Sequence, residues 1–160
     1  MKNWYVVNTR PKKEFQVAKI FSEAGFEYYN PVYKQENRIK AFFPGYGFLV
    51  FEFPQHHQLV KFTRGVKRVV GNRDGPIPIP QETILAIKAR EVEGLIELGK
   101  HGEEPGVGDE IEVVEGPLRG LRGVFKKEVG DKERVLILLS YVSYQGQLII
   151  EKNKLKKITT

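Results

Sequence analysis

Gly108-Asp109-Glu110-Ile111-Glu112-Val113-Val114-Glu115-Gly116-Pro117-Leu118-Arg119-Gly120-Leu121-Arg122-Gly123-Val124 is the stretch on which the reading of the fold turns. Ile111 and Val113 alternate with Glu110 and Glu112, the period of a strand with one buried side. A Gly-Pro turn follows, and Gly116, Gly120 and Gly123 bracket Leu118, Leu121 and Val124. Glycine at this density permits sharp bends and positive φ, which the corners of a small barrel need. Turn glycines in an ordinary small β-domain are the plainer alternative.

Working outward, short strands are expected at 109–114, 121–129, 133–140, 146–151 and 154–158, enough for a small all-β barrel over 108–160. Upstream, residues 96–107 carry Gly99, Gly102, Pro105 and Gly106 and read as a linker. The run Arg134 to Tyr144 is apolar at almost every position, so periodicity does not separate a buried strand from a buried helix. Gly116, Gly120, Gly123 and Gly130 each disfavour helix by about 1 kcal/mol against alanine. Val135, Ile137, Ile149 and Ile150 favour strand, so a barrel is expected, with a helical packing as the alternative.

Residues 1–95 mix element types. Strands are expected at 3–9, 26–32, 47–53 and 67–71, the third central because it is rich in Phe, Leu and Val. Helices are expected at 13–24, stopped by Gly25, at 54–63 with Pro54 in the first turn, and at 81–93. Gln35 to Lys40 reads as a hairpin tip, and 72–80 as a turn-rich connector. Helices packed on one antiparallel sheet give an α+β sandwich, followed by the barrel.

Composition narrows the function. With 41% apolar and 29% charged residues the chain is globular. No window of about 18 apolar residues occurs, and Thr9, Arg10, Lys12 and Lys13 interrupt the first apolar run too early for a signal peptide. The absence of cysteine removes disulfides and thiolate metal sites and fits a cytoplasmic protein. Residues 1–90 hold 15 Lys/Arg against 7 Asp/Glu, whereas 91–160 hold 11 against 13. A basic front half points to a polyanion, most simply nucleic acid, with solubility as the alternative.

Residue by residue, Gly108, Asp109, Gly116, Pro117, Gly120 and Gly123 together resemble a KOW motif, the core of an SH3-like barrel in transcription and translation factors. Trp4-Tyr5-Val6-Val7, Arg10, Lys12 and Glu14 open the chain. Phe42-Phe43-Pro44-Gly45-Tyr46, Thr63-Arg64-Gly65-Val66, Val69-Val70-Gly71 and Pro76-Ile77-Pro78-Ile79-Pro80 then follow in order. In that order, ahead of the KOW-like segment, this set is similar to the N-terminal NGN domain of the NusG family, and the resemblance covers nearly the whole chain. Thr63 to Val66 and Arg134 to Leu139 are closer to its specialised RfaH branch.

The resemblance implies a non-enzymatic elongation or antitermination factor that binds RNA polymerase, a monomer with no cofactor or membrane. Tyr5, Phe43, Pro44, Tyr46 and Phe48 would line or support an apolar polymerase-binding patch, with His56 touching the opposite side of the cleft. Arg10, Lys12, Lys13, Thr63, Arg64, Lys67 and Arg68 would face exposed non-template DNA. Gln16, Ile20 and Glu23 replace basic and polar residues of the RfaH branch, so no target sequence follows. The KOW barrel would recruit a small-subunit ribosomal protein or Rho. In the RfaH branch, the C-terminal domain also packs as a helical hairpin over the N-terminal domain before refolding as a barrel.

Catalytic constellations are missing from the sequence. His56 and His57 are adjacent and His101 is remote, which is not ligand spacing. No phosphate-binding loop or nucleophile elbow occurs. Gly120-Leu121-Arg122-Gly123 is a GxxG, but its strand-like flanks differ from the helices a KH domain needs. An RNA- or ribosome-binding module working through the barrel is the second functional reading, although the back half's negative charge opposes it.

Overall fold

Alternation decides which side of the first strand meets which helix. In β1 (Lys2–Thr9), Trp4 and Val6 point one way and Tyr5 and Val7 the other. The structure is a computed structural model that describes residues 2–96, 110–112, 122–124 and 134–146. β1 pairs antiparallel with β5 (Tyr46–Glu52), setting Val6 opposite Phe48 and Tyr5 opposite Leu49. With β2 (Tyr28–Tyr29) and β6 (Val66–Val69) they form one sheet in the order β2-β5-β1-β6, so β5 is central as its composition predicts.

Tyr5, Val7, Leu49 and Phe51 meet α1 (Glu14–Glu23), through Val17 and Phe21, and α2 (His57–Lys61), through Val60. α1 stops where expected, with Gly25 at φ +87°, a left-handed conformation that costs glycine little. The 54–63 expectation is corrected. The Phe53–Pro54 peptide is cis, Pro54 lies in a turn, and the helix begins only at His57.

Trp4, Val6, Phe48, Phe42 and Phe43 meet Ile84 and Ile87 of α3 (Gln81–Lys88), with Tyr33 from the hairpin β3 (Val32–Gln35) and β4 (Arg38–Ala41). The 26–32 strand is thus split into β2 and the start of β3 around Asn30-Pro31. A small hairpin, β7 (Gly71–Asn72) with β8 (Gly75–Pro76), lies within the 72–80 connector. α3 ends at Lys88 rather than Glu93: the chain turns at Ala89-Arg90, and positive φ at Glu93 and Gly94 then folds β9 (Glu91–Val92) back against β10 (Leu95–Ile96).

The second half departs most from expectation. β11 (Glu110–Glu112) and β12 (Arg122–Val124) pair antiparallel, as the first two expected strands should. The strand expected at 133–140 is instead a helix, α4, over residues 134–146. Its Leu138 and Val142 are buried in the cluster that holds Phe43 and Phe48. Burying such side chains stabilises by about 1.5–3 kcal/mol each, which outweighs the sub-kilocalorie strand preference of Val135 and Ile137. The strands expected at 146–151 and 154–158 lie outside the described residues, apart from Gly146 at the end of α4.

Candidate functional site

The Phe42-to-Tyr46 segment is fixed from three sides. Gly45 turns the chain at φ +83°, and its carbonyl accepts from the Thr9 N–H and the Asn8 side-chain amide, each at 2.8 Å. The Gly45 N–H donates to Oε1 of Glu14 at 2.9 Å. Glu14 therefore serves two ends: an acid in the first turn of α1 and an anchor for this turn. The rings of Phe42, Phe43 and Phe48 step edge to face at 4.9 and 5.9 Å.

This aromatic surface is covered. α4 completes the cluster, with Leu138 and Val142 buried in it and Val135, Leu139 and Tyr141 half-buried against it. Arg134, the first described residue of α4, is almost fully buried. Its Nε donates to the Phe42 carbonyl at 2.8 Å, and its guanidinium sits 4.5 Å from the Phe42 ring and 5.0 Å from the Tyr33 ring. The Tyr141 and Thr83 hydroxyls share a hydrogen bond of 2.7 Å, linking α4 to α3.

Of the residues expected in an apolar patch, Phe43 and Phe48 are buried in this cluster, Tyr46 is half-buried against it, and Pro44 is half-buried. Tyr5 does not join them. Its side chain faces the opposite side of the sheet, against Phe51 at 4.4 Å, because neighbouring residues of one strand alternate. His56 is half-buried beside Phe26, with Nδ1 enclosed and without a hydrogen-bond partner.

The basic residues do converge. The Arg10 N–H donates to the Gly65 carbonyl at 2.8 Å, which brings Arg10, Lys12 and Lys13 beside Thr63 and Arg64. At Gly65, φ is +90°, and an added Cβ would fall 2.8 Å from Val17, so close approach requires glycine there. Lys67 and Arg68 follow on β6, exposed, with Arg68 opposite Asn8. Sequence reasoning passed over what lies next to Arg68: a cavity of about 240 Å³ lined by His57, Lys61, Arg68, Asn72 and the small residues Gly71 and Gly75. His57 and Lys61 stand one helical turn apart, a spacing that could have flagged them.

Among the described residues no group of three or more His, Cys, Asp or Glu could hold a metal, and no helix is long and apolar enough to cross a membrane. Of the KOW-motif positions, Gly123 falls in β12, whereas Gly108, Asp109, Gly116, Pro117 and Gly120 lie outside the described residues.

Comparison with known proteins bears on this geometry. The family model described as the transcription termination factor NusG matches residues 2–88, which hold the sheet, its three helices and the basic junction. No curated protein matches significantly. Among solved structures, one concerned with domain interaction in Thermotoga maritima NusG aligns at 24% identity and a TM-score of 0.53, covering 79% of this chain and 80% of that one. That likeness supports the fold. An MjSpt4:Spt5 complex aligns at 20% identity over 78% of this chain and 75% of the other, with a TM-score of 0.31.

Proposed function

The chain belongs to the NusG family of transcription factors, and we propose that it is an elongation factor of the specialised antiterminator kind. Its working surface is the aromatic face around Phe43, Pro44, Tyr46 and Phe48, which docks on RNA polymerase when α4 leaves it. The single observation that carries this reading is the burial of Leu138 and Val142 in the cluster that also holds Phe42, Phe43 and Phe48. A soluble chain shields an apolar patch of this kind, and a patch shielded by a remote segment is one that can be bared.

α4 has the properties of a removable cover. Like most helices of its kind, it draws its stability from packing an apolar face rather than from helix propensity alone. Its sequence is equally apolar as a strand, so once undocked it is free to join β11 and β12 in a KOW barrel. Polymerase and the docked helix compete for one surface, and the equilibrium moves only by the difference between their affinities.

Bound, the factor bridges the two sides of the DNA channel, with Arg10, Thr63 and Arg64 reaching exposed non-template DNA, and favours the closed, processive enzyme. The tethered barrel then recruits Rho or a small-subunit ribosomal protein at raised effective concentration. The protein works in the cytoplasm and performs no covalent chemistry. A pull-down with core polymerase, followed by a single-round pausing assay, tests the reading. Capture with altered pausing or termination is expected, and neither capture nor an effect on transcription refutes it.

A further inference from the structure

Phe62 ends α2 with 75% of its surface in water, more than any other large apolar residue described. It is the odd member of a cationic junction. Residues 10–13 and 61–68 hold seven Lys/Arg and no Asp/Glu, and all seven cations are exposed. The Lys61 ammonium lies 5.8 Å from the centre of the Phe62 ring and also lines the neighbouring cavity with His57 and Arg68. Thr63 holds the helix end in place, its hydroxyl donating to the Leu59 carbonyl at 2.7 Å. The Arg10–Gly65 bond joins the two basic turns.

A ring left in water contributes nothing to the core, and cations alone would suit any polyanion. Together they specify one that offers flat apolar faces between its charges, which unpaired nucleotides do and a duplex, with its bases stacked inside, does not. We propose that Phe62 is a stacking platform for an unpaired base of single-stranded nucleic acid, with the adjoining phosphates held by Lys61 and Arg68 at the cavity mouth and by Arg10 and Arg64 across the turn. The proposal deepens the DNA contact of the function proposed above and rests on it. Phe62 and Lys61 belong to the α2 layer, on the side of the sheet opposite Leu138 and Val142, so the platform is open while α4 is docked.

The experiment is fluorescence anisotropy of the full chain with labelled oligo-dT and oligo-rU of about ten nucleotides, and a duplex as competitor, over a salt series. Phe62→Ala should weaken single-strand binding about tenfold with the salt slope unchanged, and Phe62→Trp should restore it. Lys61→Ala and Arg68→Ala should each flatten the slope by about 0.7. The stronger of the two oligonucleotide arms identifies DNA or RNA as the strand. Unchanged binding by Phe62→Ala, or equal competition by the duplex, overturns the proposal. So does a Phe62→Ala variant that loses polymerase capture but keeps the oligonucleotides. Oligonucleotide binding without polymerase capture by the unaltered chain would instead sink the factor reading and leave the platform standing.

Discussion

The two sides of the central sheet are both apolar, yet they are closed in different ways. On one side Tyr5, Val7, Leu49 and Phe51 are sealed by α1 and α2, which lie between or next to the strands in the chain. On the other, α3 supplies part of the cluster around Phe43 and Phe48, and α4, described from residue 134, supplies Leu138 and Val142. A cover folded with its strands is part of the domain. One that arrives from a distant segment carries an entropic cost of closure and is held by a few contacts. On the function proposed above, the permanent side stabilises and the borrowed side regulates.

Truncating each side should separate these roles. Phe21→Ala, on the permanent side, should lower unfolding free energy by about 3–5 kcal/mol in urea titration and weaken the whole front half. Leu138→Ala, on the borrowed side, should loosen α4 by about 2–5 kcal/mol while the sheet stays folded. Amide exchange should rise in α4 and around Phe43, and polymerase should bind tenfold tighter or more. If both variants unfold the chain alike, the distinction between the sides disappears.

Smaller changes sharpen it. Tyr141→Phe removes one hydroxyl of the 2.7 Å pair with Thr83 and should shift docking by about 1 kcal/mol, read as faster exchange in α4 alone. Tyr28 tests the permanent side by pH. Burial, reinforced by the Glu14 carboxylate, pushes its hydroxyl well above the usual tyrosine range. The unfolded chain therefore loses that proton near pH 10 while the folded chain keeps it, so stability falls as pH rises beyond about 10. Tyr28→Phe should flatten that alkaline decline without touching α4 docking.

Most of the front half was legible because its cues are local. The alternation of β1, the apolar run of β5 and the Gly25 stop each act within a few residues. The basic junction was legible as two charged turns, although only the Arg10–Gly65 bond shows that they adjoin. Tyr5 was assigned to the wrong side, since composition marks it as apolar but only the register with Leu49 tells which face it shares. α4 was misread as strand because its own residues allow either form. The preference comes from Phe42, Phe43 and Thr83, far away in sequence. His57 and Lys61 were missed because their meaning depends on Arg68 standing across from them.

The central claim is that docked α4 and polymerase exclude one another. A Cβ added at Gly146 would lie 3.4 Å from Cγ1 of Ile77, and the chain has no cysteine of its own. Ile77→Cys with Gly146→Cys therefore offers one disulfide that ties the end of α4 down. Polymerase capture by this variant, oxidised and then reduced, is the direct measurement. Little or no capture is expected while the bond is oxidised and full capture after reduction; equal capture in both states would show that a docked α4 does not exclude polymerase.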